Sequence, residues 1–402
     1  MNNRTIQPKK LLILAAGELQ TAAIITARKM GVYVIAADGS ATAPGLALAD
    51  RAEVFNITDI PTCVRFAVEN KIDGVLHICS EVSMLSVGAI NDSLGLFGPG
   101  LDVARQSTNK GLMRKAFEKA KAPSPYFAIV TDWKEAETFL THFPEKVVYK
   151  PSRNSASRGV TVLNVNSPIQ EHQTAFEYAL TQSRDQEVVM EEFMEGPEFS
   201  VEILCWNNEP HVLTITDKIT SGAPHFVELG HTQPTRRSKM EAEQIKEAAL
   251  QGVKALGIDW SAAHAEIKLT AQDAKIVEIG PRLGGDFITT DLVGLSTGID
   301  MVEGAIRLAL GEIPDLVPKH KTQGAAIRFL QQPSKLIESV DGIETAKSMP
   351  GVYRCFLDIQ PGLVGKELRS SLDRGGYIIA LGKDANEAEQ HAEDALQKII
   401  IR

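Results

Sequence analysis

His264-Ala265-Glu266-Ile267-Lys268-Leu269, followed by Ile276-Val277-Glu278-Ile279-Gly280-Pro281-Arg282, is the stretch on which this sequence turns. Apolar residues on alternate positions predict two short strands, with Asp273 in the turn between them. Glu266 and Glu278 then lie side by side on one face of a hairpin. Two anions held that close repel unless a cation lies between them or one is protonated. Such oxygen ligands suit Mg²⁺, which is usually held by one or two carboxylates plus substrate phosphates. Arg282, just past the second strand, adds a permanent positive charge with bidentate geometry for phosphate or an oxyanion. Taken alone, the pair reads sooner as two ordinary solvated strand glutamates, so the rest of the chain has to decide.

Far upstream, residues 11–100 alternate strand and helix. Leu11–Ala16, Val32–Ala36 and Gly74–Ile78 read as strands; Leu19–Met30, Pro61–Asn70 and Val82–Asn91 read as helices. That order predicts a parallel sheet covered on both faces, with ligands beyond the carboxyl ends of the strands. Gly17 after the first strand and Asp38 after the second echo a dinucleotide site, but G-x-G-x-x-G is missing. The expectation is a Rossmann-like domain that does not bind NAD. Gly98-Pro99-Gly100 and Gln106-Ser107-Thr108-Asn109 mark a boundary. Beyond it come a helix at Lys110–Lys121, an αβ unit with strand Lys146–Lys150 and a further strand at Glu187–Phe193. A long helix at Ser238–Leu256 is followed by the hairpin. From about Thr322 a last αβ module is expected, with strand Tyr377–Leu381 and helix Asn386–Ile400.

At 402 residues the chain should form two or three packed lobes. A net charge of −9 argues against a dedicated nucleic-acid binder, which would need clustered Lys and Arg. No apolar run approaches a membrane span, and no secretory signal is legible at the N-terminus. Cys63, Cys79, Cys205 and Cys355 are far apart, so neither a disulfide framework nor a zinc site is expected; Cys79 and Cys205 read as buried thiols. A reducing cytoplasmic setting is the expectation.

Three further segments carry chemistry. Lys150 ends the β-branched strand Val147-Val148-Tyr149 and precedes Pro151-Ser152-Arg153-Asn154-Ser155-Ala156-Ser157-Arg158-Gly159. A lysine there can hold a phosphate while backbone N–H groups and hydroxyls fold over it, although the loop is no P-loop. A surface hairpin with a snorkelling lysine fits as well. Glu191-Glu192-Phe193-Met194-Glu195-Gly196-Pro197-Glu198 is a strand, a bend and a second strand. Its backbone can meet an adenine edge between Phe193 and Met194, with Glu198 on the ribose.

These marks together resemble the ATP-grasp superfamily of carboxylate–amine ligases, in look nearest the L-amino-acid ligases and the related carbamoyl-phosphate-synthase-like and phosphoribosylglycinamide-synthetase-like proteins. The resemblance rests on Asn109-Lys110, Lys150 before its loop, Glu191 and Glu198 across the bend, His264-Ala265-Glu266, and Glu278 with Arg282. It implies an α/β multidomain fold: a Rossmann-like domain at 1–108, a two-lobed ATP-grasp region at 109–313 (lobes 109–190 and 191–313), and a small α+β domain at 314–402. It implies ATP as nucleotide, with Lys110 and Lys150 on its phosphates and Ser155, Ser157, Arg158 and Gly159 in a mobile lid spanning Ser152–Gly159. Glu191, Phe193 and Met194 would form the adenine hinge and Glu198 would take the ribose. Glu266 and Glu278 would bind Mg²⁺, with Mn²⁺ able to substitute, and Arg282 would steady phosphate and the tetrahedral intermediate. Many relatives carry Asn where this chain has Gly280.

The expected function is an ADP-forming ligase that activates a carboxylate as an acylphosphate for attack by an amine, with an amino acid among its small-molecule substrates. A purine-type relative, a glycinamide ribonucleotide ligase or formate-using transformylase, is the alternative, and a nucleotide-binding protein without turnover a third. The resemblance is compatible with a homodimer. For substrate, the segment Asp217–Thr235 resembles the loop covering the acceptor site, and Gly285 and Asp286 fit a contact with an amine. His231 is a candidate base or polar contact. Glu81 either faces the site from the first domain or opens a helix.

Overall fold

The computed structural model describes residues 7–154, 158–223 and 225–402. Ser155 and Ser157 of the expected lid lie outside the described residues. The chain opens with β1 (Lys10–Leu14), α1 (Thr21–Lys29), β2 (Tyr33–Asp38), β3 (Arg51–Val54), α2 (Ile60–Asn70), β4 (Gly74–Leu76), α3 (Met84–Leu94) and α4 (Leu101–Thr108). Its sheet has the order β3-β2-β1-β4, all parallel. Leu11 to Leu14 are fully buried, as a central strand covered on both faces requires. The edge strand β3 was not expected, because most of Arg51-Ala52-Glu53-Val54 faces solvent and lacks an apolar run. β1 stops at Leu14 rather than Ala16, since Ala15 adopts a left-handed conformation with φ 75°. The Asp38 carboxylate accepts the backbone N–H groups of Ala16 and Ser40, each at 2.8 Å. It closes the turn after β1. The helix expected from Val82 begins at Met84, so Glu81 precedes it rather than opening it.

The next lobe contains α5 (Lys110–Ala120), β5 (Phe127–Val130), α6 (Trp133–Leu140), β6 (Lys146–Pro151), β7 (Thr161–Asn164), α7 (Ile169–Gln182) and β8 (Val188–Glu192). Its antiparallel sheet runs β5-β8-β6-β7, with α6 and α7 packed on one face around Phe176, Val147 and Met190.

Beyond the bend at Gly196 come β9 (Glu198–Trp206), β10 (Glu209–Thr220), β11 (Glu228–Gln233), α8 (Lys239–Leu256), β12 (Ser261–Leu269), β13 (Ala274–Gly280), α9 (Val293–Thr297) and α10 (Met301–Ala309). Ser238 and Glu241 form a reciprocal capping box at the start of α8, and Gly257 at φ 67° ends it. The last segment supplies β14 (Gly324–Leu330), β15 (Val340–Asp341), α11 (Ile343–Lys347), β16 (Val352–Leu357), β17 (Gly376–Gly382), α12 (Ala385–Leu396) and β18 (Ile400–Ile401). The helix expected to reach Ile400 ends at Leu396; the apolar residues after it pair as β18 with β15.

One eight-stranded sheet, β13-β12-β9-β10-β11-β14-β17-β16, joins the second lobe to this last segment. The C-terminal strands therefore continue the sheet of the second lobe across the β11–β14 ladder. α12 lies on them through Ala388 and Ala392 against Ala326 and Ala380, small side chains that let helix and sheet approach closely. α10 packs between the parallel sheet and β9 and β12, in one core holding Leu11, Ile13, Leu204, Ala262 and Ile306.

Candidate active site

A cleft of about 310 Å³ opens where the two lobes and the first domain meet. Lys110, Lys150, Glu191, Phe193 and Met194 line it from the first lobe and the bend. Glu198, Glu266, Glu278 and Arg282 line it from the second, and Ser80 and Glu81 from the parallel-sheet domain. Val148, Val162, Phe193, Met194 and Phe226 supply apolar wall, so one part suits a flat ring and the rest is ionic.

The β12–β13 ladder sets Glu266 directly opposite Glu278, and both reach the cleft. Each already has a cation. Lys218 Nζ donates to Glu266 Oε1 at 2.9 Å, and Lys110 Nζ sits 3.3 Å from Glu278 Oε2. Lys218 also donates to Glu198 at 2.6 Å and lies 4.0 Å from Glu228. Its ammonium is 3% exposed. Burial would favour its neutral form, but the carboxylates prevail and raise its pKa well above the usual lysine range. Burial likewise opposes a charged Glu266, yet Lys218 and His264 hold its carboxyl well below the ordinary range. Behind them His264 Nδ1 lies 2.7 Å from Glu202. Glu202 overcomes burial there and lifts the imidazole to about 9.

Lys110 and Lys150 are placed by one junction. Asn109 caps α5, its side chain accepting from Leu112 N–H at 2.8 Å. Lys110 N–H donates to Ser152 C=O at 2.8 Å, which fastens the start of α5 to the chain after Lys150. Ser152, expected to open the mobile lid, is instead fully buried and bonded to Asp185. Asn154 gives its carbonyl to Lys110 Nζ at 3.0 Å. Gly159, at φ 81°, closes the loop where a Cβ would sit 2.6 Å from Pro151 and 2.8 Å from Gln182. Arg158 lines the cleft.

Glu191 is 1% exposed, and both its oxygens are engaged. Arg114 Nε donates at 2.9 Å and Lys150 Nζ at 2.6 Å. Burial would raise its pKa; Arg114 and Lys150 bring it down to about 2. Glu191 is thus taken up by Arg114 and Lys150, and of the expected hinge Phe193 and Met194 line the cleft with apolar side chains. At the opposite end Arg282 donates to Glu81 at 3.0 Å. Burial pushes the Glu81 carboxyl up against the pull of Arg282, and Glu81 and Glu278 keep Arg282 firmly charged despite its own burial.

His231, Gly285 and Asp286 lie beside the cleft; none is among its lining residues. Asp286 accepts two N–H groups of Arg374, at 2.8 and 2.7 Å, and sits 3.4 Å from His231 Nε2. These contacts hold its carboxyl below the usual range in spite of burial. Cys79, expected in the core, is only partly buried at φ 62°, its thiol directed at Gly284 C=O.

Arg114 and Lys218 escaped sequence reading. Lys218 did leave a trace, standing in register with buried Thr214 and Thr216 on β10, where a solvated lysine has no place.

The donor set suits Mg²⁺. Among the described residues no group of three or more His, Cys, Asp or Glu is arranged for a metal; Glu266 and Glu278 are two carboxylates, the number with which Mg²⁺ is usually held beside phosphate and water. A Cβ on Gly280 would lie 3.3 Å from Arg282 Cγ and Nε, so a side chain there would crowd the arginine.

Residues 143–291 match the family model described as an ATP-grasp domain, and residues 328–402 that of L-amino acid ligase C-terminal domain 2. An uncharacterized protein of Sinorhizobium fredii, y4rH, is 27% identical over 80% of this chain; the chain spans 66% of its length. A formate-dependent phosphoribosylglycinamide formyltransferase of Sulfolobus acidocaldarius is 25% identical over 98% of this chain and 97% of its own. The crystal structure of an L-amino acid ligase from Bacillus licheniformis superposes with a TM-score of 0.84, covering 99% of both chains at 22% identity. Among the described residues no helix is long and apolar enough to cross a membrane.

Proposed function

For this chain, which belongs to the ATP-grasp superfamily, we propose an ATP-dependent, ADP-forming ligase that joins a carboxylate to an amine, with an amino acid as one substrate. The observation that carries the reading is a single cleft lined by Lys110, Lys150, Glu266, Glu278 and Arg282. Lys110 and Lys150 would hold the phosphates, and Phe193, Met194 and the backbone of the bend would hold the base. Glu198 is the proposed ribose contact. Glu266 and Glu278 are the proposed Mg²⁺ ligands, and the ion when bound would neutralise charge on the transferring phosphoryl group.

The substrate carboxylate oxygen would attack the γ-phosphorus, ADP would leave, and the resulting acylphosphate would be attacked at its acyl carbon by the amine. Phosphate would then leave and the new amide nitrogen lose its proton. Arg282, held by Glu81, is set to stabilise the oxyanion formed as the amine adds. Closure of the loop after Lys150 would keep water from the acylphosphate.

The L-amino acid ligase C-terminal match and the TM-score of 0.84 support the amino-acid reading. The formyltransferase relative supports a second, in which formate and phosphoribosylglycinamide are the substrates. Against that one, the first domain gives the cleft Ser80 and Glu81 and, among the described lining residues, no basic side chain for a sugar phosphate. The deciding assay measures ADP release with Mg²⁺ over a panel of amino acids and carboxylates in pairs, with formate and phosphoribosylglycinamide as a separate arm. The expected result is ADP release that requires an amino acid together with a second substrate of the panel. Release in the formate arm alone would replace the reading with the second, and formation of AMP in place of ADP would end both.

A further inference from the structure

Arg114 lies beneath the cleft, and among the described residues it does not line it. Its side chain is 1% exposed, which a lone guanidinium tolerates only when its charge is used. Nε donates to Glu191 Oε1 at 2.9 Å, and one terminal nitrogen donates to Val277 C=O at 2.7 Å. The other terminal nitrogen has no hydrogen-bond partner among the described residues. The guanidinium stands 5.8 Å from the Phe117 ring, one turn along α5 from Lys110. It therefore touches three elements at once: the helix of Lys110, the strand of Glu191 and the strand in which Val277 precedes Glu278.

The charge count gives this placement its meaning. Glu191 carries one negative charge between two cations, Arg114 and Lys150, the latter at 2.6 Å. With Arg114 present the triad retains one net positive charge, and Lys150 is its only member that lines the cleft as a cation. Without Arg114, Lys150 and Glu191 would neutralise one another. We propose that Arg114 is a positioning residue for the nucleotide: it draws half of Glu191 away from Lys150, leaving that ammonium a net charge for phosphate, and it fixes β13 at Val277 so that Lys150 and Glu278 keep one separation.

This inference rests on the reading of the cleft as an ATP site. A plain structural role for Arg114 predicts that every change in the triad harms binding. The charge count predicts that a second change repairs the first. The experiment is calorimetric titration of ATP into the full chain and its variants, with far-ultraviolet circular dichroism as the check on folding. Arg114→Met should weaken ATP binding by roughly tenfold or more, the worth of about one screened charge. Arg114→Met combined with Glu191→Gln should return to within about threefold of the parent, because Lys150 again carries an uncompensated charge.

Arg114→Lys keeps the charge and loses the Val277 contact, so ATP affinity should hold while kcat falls; this variant carries the test if the methionine variant does not fold. A double variant no better than Arg114→Met, or a lysine variant as weak as the methionine one, overturns the inference and leaves the ATP site intact. Failure of the parent chain to bind ATP removes the nucleotide reading and the inference with it.

Discussion

Glu278 faces two demands at once. In the cleft it balances Lys110 at 3.3 Å, and on the proposed chemistry it must also hold a metal. Glu278→Gln preserves shape and strand pattern while removing the charge. ATP should then bind at least as well as to the parent, because Lys110 loses a competing anion. Turnover should drop by roughly a hundredfold or more, an amide being a far weaker ligand for Mg²⁺ than a carboxylate. Single-turnover ADP formation checks this, and near-parental rates would remove Glu278 from the metal site. Glu266 and Glu278 stood out in the sequence because a charge within a short apolar strand breaks the pattern around it, and Arg282 because it follows directly on the second strand. Arg114 and Lys218 were not. Their meaning lies in partners at separations of 77 residues for Arg114–Glu191 and 48 for Lys218–Glu266, beyond anything periodicity can sense.

Between β8 and β9 the chain turns at Gly196, with φ 140°, a conformation that L side chains rarely adopt. An added Cβ would meet Leu269 C=O at 2.0 Å, while the Gly196 carbonyl accepts Lys268 Nζ at 3.0 Å. The bend is thus pressed against the end of β12, the strand that carries Glu266. Gly196→Ala should cost about 2 kcal/mol or more through strain and clash, and should weaken nucleotide binding as the bend moves away from β12. Urea denaturation together with ATP titration would show it; a variant with unchanged midpoint and affinity would mean that the bend is not under this constraint. Elements with strong local signals, such as α8 with its Ser238 cap, were readable to within a residue. β3 and the end of α12 were not, since an exposed edge strand has no apolar run and the Ile399–Ile401 run serves strand and helix alike.

The eight-stranded sheet makes the last segment part of the fold of the second lobe. β11 pairs with β14 from Gly230↔Arg328 to Gln233↔Ala325, and Arg374 returns to clamp Asp286. Removing residues 314–402 would bare the β11 edge and take Arg374 away from Asp286. A chain ending at residue 313 should therefore aggregate, and scanning calorimetry of the full chain should show no separate early transition for its C-terminal part. A monodisperse, ATP-binding 1–313 fragment would contradict this. The alternation of strand and helix in the first sheet was readable in the sequence. The shared sheet was not, because strand pairing between distant segments leaves no local mark.

In the cleft most charges close on one another: Lys110 with Glu278, Lys218 with Glu198 and Glu266, Arg282 with Glu81. Apart from Lys150, whose Glu191 is shared with Arg114, such a site resembles an ion-exchange resin in its internally neutralised form. On the proposed function, an entering polyanion would trade places with protein carboxylates, so its affinity would be the small difference between two well-paired states. Each carboxylate released by that trade would become a fresh seat for a divalent counter-ion. The anion and its cation would then be admitted as a pair, and a polyanion arriving without its cation would leave exposed acid behind.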